Sequence, residues 1–205
     1  MEIIITILSS YLIGSIPFSF FIVKMFHNKN IITEGSGNAG AMNSYELSNN
    51  KLTGIIVLLI DLLKGALVVL IYNSFLKPDI SLLYISAFWV VLGHNTSIFL
   101  GFKGGRGLST AAGIFLLINP YLIISWILMW FAGYYVIRKN VHIANSIALI
   151  GSTILAFSTP DQLLSAFDFL GIGHYIGIKL LYSVVSILIL IKHIKPLKEL
   201  LATGA

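Results

Sequence analysis

The sequence predicts an all-α integral membrane protein with about seven transmembrane helices, its N-terminus outside and its C-terminus cytoplasmic. Three observations carry this expectation. Of 205 residues, 57% are hydrophobic and only 10% are charged, against about 25% charged in a soluble domain, so lipid must solvate the surface that charge cannot cover. Apolar runs approaching the roughly 20 residues needed to cross a bilayer recur along the chain. The loops between these runs also divide lysine and arginine unequally.

The first run is Ile3 to Phe26. It has no basic start and no small-residue cleavage site, so it reads as a retained helix rather than a signal peptide. Pro17 is expected to kink it, since proline removes a helix hydrogen bond. A polar stretch, 24–53, precedes the second span, Gly54 to Tyr72, which carries Asp61 and Lys64. Asn73 to Asp79 is a short turn with Pro78, and Ile80 to Leu92 opens a third span that could reach Leu100. Leu108 to Ile118 is apolar but short, and Asn119-Pro120 is a turn signal. Tyr121 to Ile137, Val141 to Phe157 and Tyr175 to Ile191 complete the set. An acidic, glycine-bearing loop separates the last two, and a basic tail follows, 192–205. No internal repeat is visible, and residues 1–205 read as one polytopic membrane domain.

With seven crossings, ten cations fall on one side: Lys24, Lys29, Lys51, Lys103, Arg106, Arg138, Lys139, Lys192, Lys195 and Lys198. Only Lys77 and Lys179 fall on the other. Without a full crossing at Leu108 to Ile118 the bias is lost, so the charge pattern supports that crossing. Segments 24–53, 93–107 and 192–205 then share the cytoplasmic face, where a site built from several loops should form.

The net charge of +5 reports these loops; no basic face with stacking aromatics points to nucleic acid. The chain has no cysteine, which excludes disulfides, a thiol nucleophile and thiolate metal sites. Its five histidines show no helical pairing with a carboxylate, so no metal and no cofactor are expected. Trp126, Trp130, Tyr134 and Tyr135 read as interfacial anchors.

Two glycine-rich segments carry the candidate chemistry. In 93–113, GHNTSIFLGFKGGRGLSTAAG, glycines 101, 104, 105 and 107 surround Lys103 and Arg106. Backbone N–H groups in such a turn can form an anion nest, and a helix starting near Leu108 would add its N-terminal dipole. The other reading is a basic loop, positive for topological reasons alone. In 35–43, GSGNAGAMN, Gly35, Gly37, Ser36, Asn38 and Asn43 offer a tight turn, a hydroxyl and amides with no acidic group; a flexible linker would use the same residues. Asp61 and Lys64 share a helix face. A charge at mid-bilayer costs about 2.5–3.5 kcal/mol on insertion scales, so they read as a self-neutralising pair or as the wall of a polar cavity. His94 and His193, each at a helix end, are either anchors or proton carriers.

These residues resemble a known family. GSIPFSFFIVK (14–24), GSGNAGAMN, Asp61-Leu-Leu-Lys-Gly65 and the 93–113 segment are similar, in order and spacing, to the bacterial acyl-phosphate:glycerol-3-phosphate acyltransferases, the PlsY family. The resemblance implies a seven-helix enzyme of the bacterial cytoplasmic (inner) membrane with its active site facing the cytoplasm. It implies acyl phosphate and glycerol 3-phosphate as substrates, membrane lipid as surroundings, and lysophosphatidic acid and phosphate as products in phospholipid synthesis. By the same resemblance Ser36, Lys103 and His193 would be catalytic. Gly35, Gly37, Asn38, Asn43, His94, Gly104, Gly105, Arg106 and Gly107 would bind substrate phosphate, and Asp61 and Lys64 would wall the cavity. The chain departs from the family pattern at Asn30-Ile31-Ile32, Met42, Glu46, Asn95-Thr96-Ser97, Arg106 and Pro196. Glu46 and Pro196, standing where an arginine and an asparagine are expected, keep open a non-catalytic lipid- or phosphate-binding paralogue, or an acyltransferase with another acceptor.

Overall fold

The computed structural model describes residues 1–76 and 79–203. Lys77 and Pro78, used above for charge balance and as a turn, lie outside the described residues. The described residues form helices that divide into two compact units, Met1–Ile114 and Phe115–Ala205.

In the first unit the N-terminal run is two helices, α1 (Glu2–Ser15) and α2 (Phe18–His27), not one kinked helix. The residue before a proline is pushed out of the helical region, and Ile16 accordingly sits at ψ 115°. The polar stretch that follows contains a helix absent from the sequence reading, α3 (Ala41–Ser48). Next comes α4 (Lys51–Ile71), which begins three residues before the expected Gly54. Asn50 caps it, accepting from the Leu52 amide at 2.9 Å. A π-helical turn, Tyr72–Leu76, ends it. Asp79 caps α5 (Ile80–Asn95) through the Ser81 amide, 2.9 Å, and hydroxyl, 2.7 Å. These two donors hold the Asp79 carboxyl below the usual carboxylate range. A 3-10 turn, Ile98–Leu100, follows α5, so the third apolar segment stops at Asn95 and does not reach Leu100. The unit closes in α6 (Leu108–Ile118), which runs into the second unit.

Glycines set the helix contacts of this unit. Gly14 of α1 lies against the Val90 carbonyl of α5, and Gly93 of α5 against the Tyr11 carbonyl of α1. Gly65 of α4 meets the Thr110 carbonyl of α6, and Gly113 of α6 the Leu62 carbonyl of α4. A Cβ at any of these positions would overlap backbone, so each helix pair touches main chain to main chain, as small residues allow in membranes.

The second unit holds α7 (Pro120–Ala132), extended by a π turn to Ile137, α8 (Val141–Ser158), α9 (Asp161–Ser165) and α10 (Tyr175–Thr203). The basic tail is largely helical: α10 runs on through Pro196 to Thr203. Lysine, leucine and glutamate after Pro196 are good helix formers, and the proline forgoes only the hydrogen bond to the Lys192 carbonyl. The loop before α10, read as irregular, contains α9. Lys179 is buried and donates to Asp161 at 2.8 Å and to the Thr159 carbonyl at 3.0 Å. Ser152 and Tyr182 pair at 2.6 Å, and the Tyr182 ring meets Phe115 edge-on at 4.9 Å.

Five helical segments among the described residues are long and apolar enough to cross a bilayer: Glu2–His27, Lys51–Ser74, Pro120–Ile137, Val141–Ser158 and Tyr175–Ala202. Ile80–Asn95 and Leu108–Ile118 are apolar but shorter. Gly113→Leu should force α4 and α6 apart, at a cost of about 1–3 kcal/mol. Thermal unfolding in detergent should show a clearly lower Tm; an unchanged Tm would contradict the main-chain contact.

Candidate active site

The two glycine-rich segments meet in the first unit. The Ala39 amide donates to the Gly104 carbonyl at 3.2 Å, so residues 35–40 and 101–107 form one surface although some 65 positions separate them in the chain. Each loop is fixed from within. Gly35 and Gly37 take φ of 61° and 67°, a region open chiefly to glycine. The Asn43 side chain, 1% exposed, closes this turn. Its Oδ1 accepts from the Ser36 amide at 3.0 Å, and its Nδ2 donates to the Ile31 carbonyl at 3.1 Å and the Glu34 carbonyl at 3.4 Å. Segment 35–43 is therefore a braced turn, not a linker. In the second loop Ser97 and Lys103 pair through their backbones, and the Gly105 amide donates to the His94 carbonyl at 3.0 Å.

These bonds narrow the expected anion nest. The amides of Ser36, Gly37, Lys103 and Gly105 all donate to acceptors within the protein, so the backbone mainly holds shape. What faces outward is side chain: Ser36 and Lys103 are exposed, while Asn38 and Arg106 are half-buried. The α3 N-terminus at Gly40 has no side-chain cap and is buried.

Beneath the loops lies a buried polar cluster. Lys64 Nζ donates to Asp61 Oδ1 at 2.9 Å and to the Ile16 carbonyl at 2.6 Å, where the chain breaks before Pro17. His94 Nδ1 stands 3.5 Å from the same Asp61 oxygen. The His94 ring fills the space over Gly105, where a Cβ would overlap Nε2. The Ser97 hydroxyl donates to the Ser15 carbonyl at 2.5 Å, tying the loop to the end of α1. Lys64, His94, Gly104, Ser15, Ser19 and Ser97 border a cavity of about 10 Å³, close to the space one water requires.

The residues named from sequence thus fall into groups. Gly35, Ser36, Gly37, Asn38, Asn43, Asp61, Lys64, His94, Lys103, Gly104, Gly105, Arg106 and Gly107 all belong to the first unit. Asn43 and His94 support the loops from below. Lys64 borders the cavity, and Asp61 holds Lys64 and His94. His193 belongs to the second unit and is fully buried on α10. The sequence reading missed Ser15, Ser19 and Ser97; their signal was hydroxyls recurring beside Pro17 and after His94. It also missed Asn95, whose fully buried carboxamide lies under Gly107.

Apolar helices, a buried ion pair and two interlocked glycine-rich loops with an exposed lysine define a helical integral membrane protein with a polar site made from loops. Known proteins carry the description further. The sequence profile of the glycerol-3-phosphate acyltransferase family matches residues 4–203, and the chain belongs to that family. Glycerol-3-phosphate acyltransferases of Anaplasma marginale (strain Florida) and Lactococcus lactis subsp. lactis (strain IL1403) are each 35% identical to it. The matches cover 90% and 98% of this chain, and 84% and 90% of theirs. The crystal structure of PlsY, an integral membrane glycerol 3-phosphate acyltransferase, in its glycerol 3-phosphate form, superposes with a TM-score of 0.77 at 26% identity. That match covers 100% of this chain and 94% of the other. The lysophosphatidic acid form gives the same score.

Asp61→Ala would leave the buried Lys64 ammonium without its counter-charge, a loss of about 3–5 kcal/mol. The double variant D61A/K64M removes both charges and should recover most of it. Denaturant or thermal unfolding in detergent reads the difference; a single variant as stable as the double would contradict the pairing.

Proposed function

We propose that this enzyme transfers a fatty acyl group from acyl phosphate to the 1-hydroxyl of glycerol 3-phosphate, giving lysophosphatidic acid and inorganic phosphate for phospholipid synthesis. The observation that carries the reading is the Ala39–Gly104 hydrogen bond. It sets the Ser36 turn beside the Lys103 loop, as a reaction between two phosphate-bearing molecules requires. Membership of the family supports the acyltransferase chemistry, and the likeness to PlsY in its glycerol 3-phosphate form supports the acceptor.

In this scheme Lys103 and Arg106 hold the phosphates, and Ser36 and Asn38 orient the acceptor next to the acyl carbonyl. Fixing both molecules makes the encounter effectively intramolecular. The acceptor oxygen adds to the acyl carbon. The tetrahedral oxyanion collapses, the bond from carbon to phosphate oxygen breaks, and phosphate leaves with its charge met by the basic side chains. The hydroxyl proton passes to the departing phosphate. The chain makes seven crossings of the bacterial cytoplasmic membrane as one polytopic domain, with the N-terminus outside and the loops facing the cytoplasm. The ten-to-two division of cations supports this orientation.

Purified protein in detergent, given acyl phosphate and a panel of acceptors, should release phosphate with glycerol 3-phosphate and not with uncharged polyols. Lys103→Ala should lower kcat/KM by about 10²-fold or more while the protein still purifies as a monodisperse species. Release with another acceptor alone, or full activity of the variant, would overturn the reading.

A further inference from the structure

In the first unit, the loop that carries Lys103 holds a phenylalanine in an uncommon conformation. Phe102 takes φ 61°, in the left-handed region, directly after Gly101 at the same φ. A bulky residue is an outlier there, and such outliers persist where their surroundings over-determine them, often at functional sites. Here the backbone does so. The Phe102 amide donates to the Ser97 carbonyl at 2.8 Å, the Ser97 amide to the Lys103 carbonyl at 3.1 Å, and the Lys103 amide to the Leu100 carbonyl at 3.3 Å. Gly101 shows what conformation alone selects: a Cβ there would meet nothing within 4 Å, so only its φ calls for glycine. One residue later the same φ keeps a phenyl ring. That ring is 64% exposed, so packing within the loop does not account for it. Leu100 supplies the packing, set against Val23, Ile31 and Ala39. Ile98 and Phe99 are, like Phe102, exposed.

We propose that Phe102, with Phe99 and Ile98 beside it, seats the acyl chain of the donor, so that the 97–103 loop selects for a long fatty tail. The inference rests on the acyl-phosphate reading above and deepens it. An acyl phosphate is an amphiphile, an anionic head on an apolar chain. The loop offers the complement in adjacent residues: the exposed Lys103 ammonium for the head, and exposed apolar side chains for the tail. With the head at Lys103, the chain leaves the reacting carbonyl beside the apolar surface that the same loop supplies. Contact between chain and ring takes apolar area of both out of water. That area grows with the length of the chain, whereas the contact to the phosphate does not. Phe102 is thus a specificity residue, remote from the bonds that form and break. Its left-handed backbone is the cost of keeping an aromatic side chain next to Lys103 in a loop closed by the Ser97–Lys103 pairing.

The test compares two donors, palmitoyl phosphate and butyryl phosphate, with purified protein in one detergent and glycerol 3-phosphate as acceptor. Each variant is read as its kcat/KM relative to wild type with the same donor, so differences in donor solubility cancel. Phe102→Gly removes the ring and suits the left-handed backbone, so its Tm should not fall. It should lose about tenfold in kcat/KM with palmitoyl phosphate and about twofold or less with butyryl phosphate. Phe102→Leu keeps an apolar side chain and should retain most of the preference for the long donor, while Phe99→Ser should lose part of it. If Phe102→Gly lowers the Tm, Phe102→Asn, which also tolerates this region, carries the comparison. Equal losses with the two donors would mean that the ring seats the loop in the bilayer or holds its shape, and would overturn the proposal, as would no loss with either. Both results leave the acyltransferase reading standing. Wild type that transfers from neither donor would remove that reading and this proposal with it.

Discussion

The constraint on which the site depends is a lysine ammonium placed inside an apolar helix. Lys64 cannot be left bare in such surroundings. Its three neighbours are the Asp61 carboxylate, the Ile16 carbonyl and the ring of Phe18, 5.2 Å away. The first two have structural consequences. The carbonyl contact fastens α4 to the break between α1 and α2, so that the break ordered by Pro17 becomes a fixed junction. Asp61 in turn reaches His94 at the end of α5, and His94 carries the second glycine-rich loop over its ring. A neutralised charge pair thereby becomes the floor of a polar site.

On that floor the glycines act by allowing contact. Gly105 over the His94 ring, Gly104 against the His94 carbonyl, and Gly14 and Gly93 between α1 and α5 are places where a side chain would collide. The loops are stiff because most of their amides bond within the protein, and in the proposed scheme their working groups are the few side chains left pointing out. Preorganised cations of this kind stabilise charge without having to rearrange as it develops. In the second unit three hydrogen bonds in series link Trp130, Asn145, His193 and the Ile189 carbonyl.

Much of this was legible in the sequence, and the failures have physical causes. The apolar runs, the intramembrane Asp61–Lys64 pair and the two glycine-rich segments follow from composition and spacing. Membership of the family was visible in the order of those segments. Helix ends were read less well. Pro17 splits its helix because the restriction on Ile16 adds to the missing N–H, whereas Pro196 sits within a helix that strong formers carry past it. The helix α3 was hidden because its eight residues are mostly polar and its cap is a glycine without a side chain to announce it. Asn43 looked like a ligand-binding amide and proved to brace the Ser36 turn, since a sequence does not say which way an amide points. Trp130 read as an anchor, because its hydrogen bond to Asn145 exists only in the pairing of α7 with α8.

The central claim is that residues 35–43 and 101–107 act as one anion-binding surface. Hydrogen–deuterium exchange of the detergent-solubilised protein, with and without glycerol 3-phosphate, addresses it directly. The account predicts slower exchange in both segments at the same ligand concentration. Slowing in one segment while the other is unmoved would contradict it.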